Sequence, residues 1–174
     1  MMTDTNYSRY RTVLFVLAVL LVCCAPWSGM QCLLHAEDTR AADFSLENIL
    51  DGKTVCLSTC GSKLLVLEFV SRYCKPCREM VPDLVKLYQN YKAAGLMIYK
   101  IYIDSEPDKP AMKSFAAETK MTFPYLLGNR DLAKKYGVIM LPTIYLINKE
   151  KKVVKKYIGS QTYEVLERDW KALN

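Results

Sequence analysis

The chain has 174 residues, 24 basic against 18 acidic side chains for a net +6, 51% apolar residues, one histidine and seven cysteines. That length suits one domain plus a targeting segment, and the apolar share excludes a disordered tail protein. The basic residues are spread along the chain, which leaves no footprint for nucleic acid, and a lone histidine rules against multi-histidine metal sites and a Ser-His-Asp triad.

Val13 to Ala25 is an unbroken apolar run, preceded by Arg9 and Arg11 and closed by Pro26. It suits the hydrophobic region of a signal peptide and falls short of the ~20 residues a bilayer span needs. Cleavage would follow Ala36; an uncleaved anchor results if the run continues to Leu34 across Ser28, Gly29 and Gln31. Residues 1–36 are therefore read as a signal peptide or N-terminal membrane anchor, and 37–174 as the folded domain. Cys23, Cys24 and Cys32 fall in the first segment, where they read as small apolar fillers. A lipidated cysteine would need a small residue before it, and Val22, Cys23 and Gln31 stand there instead. Removing this segment takes His35 with it and leaves four cysteines, in an exported chain that meets an oxidising compartment.

Phe44 to Leu50 is a lead-in, and Asp51-Gly52 marks a turn ahead of Thr54 to Leu57. Leu64 to Val70 (LLVLEFV) is nearly continuous apolar chain, the pattern of a strand covered on both faces. Cys77 to Ala94 predicts a helix, with Val81, Leu84, Leu87 or Tyr88, and Tyr91 at helical spacing, Gly95 as its stop and a kink at Pro82. Leu96 to Ile103 is a second strand ending at Asp104, and the Pro107 to Pro110 stretch introduces a helix to about Thr119. A short helix covers Asp131 to Tyr136. Thr143 to Asn148 and Val153 to Gly159 flank a polar KEKK turn, which signals an antiparallel hairpin, and Tyr163 to Leu173 is a terminal helix. Strands that alternate with helices and end in a hairpin predict an α/β domain, a mixed central sheet with helices on both faces.

Cys74-Lys75-Pro76-Cys77 directly follows the first buried strand and opens a helix. In that place the helix N-terminus stabilises a thiolate, and Arg72, Lys75 and Arg78 add positive charge. Pro76 suits the first turn, where its missing donor costs nothing. Cys74 is then the attacking thiolate and Cys77, one turn further in, the resolving thiol. Glu68 interrupts the apolar strand before the pair; burial raises the pKa of such a carboxyl and equips it to relay a proton to or from Cys77, whereas a head at the sheet edge would simply be solvated. Cys56 and Cys60 stay open between a disulfide, two buried thiols and the remaining ligands of a zinc site with the Cys-x-x-Cys. On one helical turn a bridge would fit them; on an extended strand they would stand too far apart. The twelve tyrosines and the lysines from Lys149 to Lys156 read as packing and a solvated hairpin, the lysines lying near anionic lipid if the chain is anchored.

Several blocks in order, ADFSLENILDGKTVCLS, LLVLEFVSRYCKPCREMVP, FPYLLGNRDLAKKYGVIMLPTIYLIN and KKVVKKYIG, make residues 41–173 resemble the thioredoxin superfamily. Within it the chain is similar to membrane-associated thiol–disulfide oxidoreductases of the TlpA/ResA type. The resemblance implies a thioredoxin fold, disulfide exchange on protein substrates outside the cytoplasm, no bound cofactor and no metal. It implies that Pro142 is the cis-proline shaping the substrate groove, with the backbone edge at Leu141 pairing with substrate chain and Tyr73, Lys75 and Pro76 lining the approach. Tyr73 stands where the family's tryptophan is usual. Glu68 stands where this type often has asparagine and thioredoxins have an acid. The family's glutamate after the motif is displaced by one, to Glu79.

The reading is an exported oxidoreductase, on the periplasmic side of a bacterial inner membrane, that draws electrons from a membrane thiol donor. As the family's substrates suggest, it would reduce apocytochrome c or metal-site assembly proteins. A disulfide oxidase or isomerase is the alternative, because positive charge around Cys74 makes the pair more oxidising. A copper-delivery module of SCO type would need Cys-x-x-x-C and a distant histidine. Peroxide reduction would need a cysteine framed by threonine and a later arginine, a frame this chain lacks.

Overall fold

The computed structural model describes residues 40–174. The expected export segment, with Cys23, Cys24, Cys32 and His35, lies outside the described residues. Two short strands come first, β1 (Ser45–Glu47) and β2 (Thr54–Cys56), paired antiparallel across the Asp51-Gly52 turn. The main sheet takes β3 (Leu64–Val70), β4 (Leu96–Tyr102), β5 (Tyr125–Leu127), β6 (Thr143–Asn148) and β7 (Val153–Ile158) in the order β5-β4-β3-β6-β7. β3, β4 and β5 run parallel, while β6 is antiparallel to both β3 and β7. The sheet is mixed, as the alternation of elements predicts.

Helices supply the parallel crossovers. α1 (Lys75–Glu79) and α2 (Val81–Tyr91) join β3 to β4, α3 (Lys109–Glu118) joins β4 to β5, α4 (Arg130–Lys135) leads towards β6, and α5 (Tyr163–Leu173) closes the chain. The single helix expected over 77–94 is three pieces: α1, α2 and a 3₁₀ turn over Lys92–Ala94. Pro82 is the cause of the first break, since it has no N–H to return to the carbonyl of Arg78 and instead sits in the first turn of α2. Gly95 ends the last turn at φ 109°, a left-handed backbone that glycine adopts without strain. Asp108 and Asn129 cap α3 and α4, their side chains accepting from Ala111 N at 3.0 Å and Leu132 N at 2.8 Å.

Every residue of β3 is buried, and its alternation divides two cores. Leu64, Val66 and Val70 face one side with Leu84 and Leu87 of α2, Met112 of α3, and Leu166 and Trp170 of α5. Leu65, Leu67 and Phe69 face the other with Tyr99, Tyr145, Leu132 of α4, and Phe44 and Leu57 from the β1–β2 region. Helices thus cover both faces, in the thioredoxin-like arrangement the resemblance implies. β5 is an element the residue pattern did not reveal. It is three residues long, and two further hydrogen bonds complete its place: Tyr125 N donates to the side-chain Oδ1 of Asn48 at 3.1 Å and Gly128 N to the backbone carbonyl of Tyr102 at 2.8 Å.

Candidate active site

The loop from Ser71 to Tyr73 carries the chain from the end of β3 into the cysteine pair, and Asp104, just past β4, fixes it. One carboxylate oxygen of Asp104 accepts from Ser71 Oγ at 3.0 Å and from Arg72 N at 2.9 Å. Partial burial alone would raise its pKa, but those donors and the Arg72 charge outweigh burial and hold it below the ordinary range. Arg72 also donates to Tyr102 Oη at 3.1 Å and to the carbonyl of Glu106, and its guanidinium lies 5.5 Å from the ring centre of Tyr73. Tyr73 itself is 82% exposed.

Cys74 and Cys77 are joined as a disulfide with their Cα atoms 5.3 Å apart. Cys74 is the N-cap of α1, its Sγ accepting from Cys77 N at 3.2 Å, and Pro76 lies in the first turn. Cys77 is the deeper of the two, 1% exposed against 8% for Cys74. Lys75 points to solvent and pairs with Glu79 at 3.5 Å on the surface, where such a pair contributes little. Glu79 is thus exposed, and the position that follows is filled by the buried Met80, whose sulfur accepts from Gln161 N at 3.2 Å.

Glu68 faces the same side of β3 as Leu64, Val66 and Val70, fully buried. Its partner, which the sequence reading missed, is Lys100. The two are register neighbours on parallel β3 and β4, and Lys100 Nζ lies 2.6 Å from Glu68 Oε2 and 3.2 Å from the carbonyl of Cys77. Burial raises the pKa of Glu68, and the lysine charge and hydrogen bond oppose that rise. Oε1 of the same carboxyl has no hydrogen-bond partner among the described residues. The signal for Lys100 was present: a lysine inside LMIYKIY is as anomalous as a glutamate inside LLVLEFV. A cleft of about 210 Å³ opens beside the pair, lined by Cys77, Arg78, Lys100, Tyr102, Met112 and Phe115 among others.

The Leu141–Pro142 peptide bond is cis. Pro142 is buried, its carbonyl accepting from Gly159 N at 2.8 Å, while Leu141 is half-buried against both cores. The same connection between β7 and α5 therefore touches the turn after the cysteine pair, through Gln161, and the proline, through Gly159. Ile139 and Met140, ahead of the proline, are 83% and 57% exposed and form an apolar rim with no partner in the fold's core. Cys60 lies in the opposite core from Cys74 and Cys77, and both Cys56 and Cys60 are free thiols.

The fold, together with the relatives it shares, defines the class: the protein is a thiol–disulfide oxidoreductase of thioredoxin-like fold. Residues 38–156 match the AhpC/TSA family, and the chain belongs to it. It is 37% identical over 119 residues to the thiol-disulfide oxidoreductase ResA of Bacillus anthracis, covering 68% of each chain. It is 32% identical over 132 residues to ResA of Bacillus subtilis, covering 75% of this chain and 72% of that one. The crystal structure of StoA from Bacillus subtilis superposes with a TM-score of 0.62 at 25% identity, over 75% of this chain and 97% of that one.

Proposed function

We propose that the protein is a reductase of protein disulfides outside the cytoplasm, working through Cys74 and Cys77 with Glu68 as the proton relay. In the reduced protein the Cys74 thiolate attacks a substrate disulfide, forms a mixed disulfide and releases one substrate thiolate. Cys77 then gives up its proton and attacks Cys74 Sγ. The second substrate thiol leaves, and two electrons have passed to the substrate. The observation that carries this reading is the buried Glu68–Lys100 pair reaching the backbone of Cys77. A buried carboxyl with a raised pKa and one unpartnered oxygen can accept the Cys77 proton when that thiol must become a nucleophile. The exposed Ile139 and Met140, just ahead of the half-buried Leu141 and the buried Pro142, and the exposed Tyr73, just before Cys74, supply apolar surface for an extended substrate segment. Export by residues 1–36, as signal or anchor, and reduction by a membrane thiol donor complete the proposal. Among the described residues no helix is long and apolar enough to cross a membrane.

Changing Cys77→Ser tests it, because Cys74 then has no resolving partner and a mixed disulfide with the natural substrate accumulates for mass spectrometry. A reactive Cys74 that captures no protein removes the exchange reading. Redox titration of the wild-type pair tests the direction: a potential near or below about −270 mV, the thioredoxin value, supports a reductase. One near about −120 mV replaces it with an oxidase.

A further inference from the structure

Cys56 and Cys60 take no part in the chemistry above, and their surroundings are unusually well defined. Cys56 ends β2 opposite Ser45, and its thiol donates to Ser45 Oγ at 3.4 Å. The chain then folds back on itself. Leu57 N donates to Phe44 O at 3.1 Å, Ser58 N to Asp43 Oδ1 at 3.1 Å, Thr59 Oγ1 to Cys56 O at 3.2 Å and Cys60 N to Leu57 O at 3.1 Å. Leu57, 1% exposed, roots the turn in the core, and Lys151 Nζ donates to the carbonyl of Cys60. Cys60 is buried with Sγ 3.2 Å from Ser62 Oγ, while Cys56 is half-buried.

We propose that Cys56 and Cys60 are a second thiol pair, which closes into a disulfide across the Leu57–Thr59 turn when the protein meets an external disulfide. The turn is neither the helix nor the extended strand that the spacing left open. A turn closed by a hydrogen bond from residue four to residue one holds its ends within ~7 Å. A disulfide tolerates Cα separations of about 4.4–6.8 Å. That limit holds Leu57 and Cys60; Cys56 is the residue before the turn, its carbonyl tied to Thr59 Oγ1, so closure requires that the two thiols leave Ser45 and Ser62 and that the turn draw their Cα atoms into the disulfide range. Tyr99 marks the common ground. Burial chiefly raises the pKa of its hydroxyl, and the Cys60 thiol, Tyr88 and Cys56 add to that rise.

The accessibilities divide the labour. Cys56, the more open thiol, loses its proton and attacks a sulfur of the external disulfide, forming a mixed disulfide and releasing one thiolate. Cys60 attacks Cys56 Sγ and releases the second. Two protons and two electrons leave the pair and end on two external thiols. The sheet stands between this turn and Cys74–Cys77, since Cys60 belongs to the core of Leu65, Leu67 and Phe69 and the other pair to that of Leu64, Val66 and Val70. The second pair is therefore oxidised from outside, by a protein or low-molecular-weight disulfide, and does not depend on the exchange reading.

The test incubates the reduced full chain, wild type and Cys74→Ser/Cys77→Ser, with oxidised glutathione, then alkylates free thiols and digests with trypsin. Cys56 and Cys60 share the peptide 54–63 between Lys53 and Lys63, separate from the peptide 73–78 that holds the other pair. The expected result is a 54–63 peptide without alkyl groups and lighter by two hydrogens in both proteins. Two alkyl groups, a persistent glutathione adduct on Cys56, or a crosslink to Cys23, Cys24 or Cys32 would each overturn the proposal. With Cys60→Ala the glutathione adduct should accumulate at Cys56 because nothing resolves it; a Cys56 that takes no adduct there also overturns it.

Discussion

Lys100 Nζ binds the Glu68 carboxylate at 2.6 Å from the neighbouring parallel strand, and the same ammonium donates to the carbonyl of Cys77 at 3.2 Å. Both side chains are essentially removed from water. Two buried charges cost more in lost hydration than a well-packed apolar pair would, so their stability value does not account for them. What the arrangement achieves is coupling. The backbone of Cys77 and the ionisation of an acid meet on one lysine.

Glu68→Gln removes the titrating group while keeping its shape. Exchange near neutral pH should slow by about 10²-fold, the lower end for a lost proton relay. The wild-type rate should rise as pH passes upward through the raised pKa of Glu68, and the variant should lack that rise. Stopped-flow exchange across pH 4–9 reads both, and superimposable profiles would dismiss the relay.

Replacing the pair by Glu68→Leu with Lys100→Met should stabilise the protein at neutral pH by ~1–4 kcal/mol while slowing exchange. Glu68→Leu alone should destabilise by ~3–5 kcal/mol, because it strands a buried ammonium. The pH sense follows from the raised pKa of Glu68. Its contribution to stability is fully present below the ordinary carboxylate value of 4.5 and is lost as pH rises through the raised one. The advantage of the double variant should therefore shrink on acidification, a trend that urea midpoints at pH 4 and pH 7 measure. A double variant less stable than wild type at pH 7 contradicts this account.

Glu167 fastens α5 to α2, accepting from Tyr91 Oη at 2.5 Å, Tyr163 Oη at 2.6 Å and pairing with Lys171 at 3.2 Å. The tyrosine donors, Tyr163 first, and Lys171 lower its pKa to about 2. A depressed carboxylate stabilises above its ordinary value of 4.5, and that contribution is lost as pH falls towards about 2. Glu167→Gln should lower the urea midpoint at pH 7, with the gap to wild type closing as the pH is brought down to about 2. A gap that stays constant would mean the carboxylate charge plays no part.

Gly128 closes the β5 turn against β4. A Cβ there would lie 2.4 Å from Ile101 Cγ2, closer than the two can stand, and 3.2 Å from Tyr102 O, a tight contact. Gly128→Ala should cost ~1–3 kcal/mol through forced displacement of Ile101. Thermal unfolding gives the answer directly, and an unchanged midpoint would show that the strand yields freely.

The hairpin and α5 were legible because their apolar periodicities are local and bounded by KEKK and by Gly159. The place of Cys74 and Cys77 was legible because strand and helix signals meet at the motif. β5 was not, since three residues carry no period and its place depends on Asn48, far away in sequence. Pro82 announced a disturbance in the helix but not its position, which the missing N–H moves two residues back to Met80. Glu68 stood out alone as an acid in an apolar strand. Lys100 carries the same anomaly in LMIYKIY, but only the β3–β4 register sets the two side by side. Partners across a parallel crossover are set by tertiary packing, and no spacing along the chain encodes them.

The two-residue alternation of β3 has a consequence for how this domain can vary. Glu68 and the cysteine pair share one side of the sheet, and the aromatic core of Phe69, Tyr136 and Tyr145 occupies the other. Loss or gain of one residue between Leu64 and Glu68 would carry the acid through the sheet and drive an aromatic ring towards Lys100. Length changes in this strand must therefore preserve parity. The count within β3 is as much a part of this arrangement as the side chains it places.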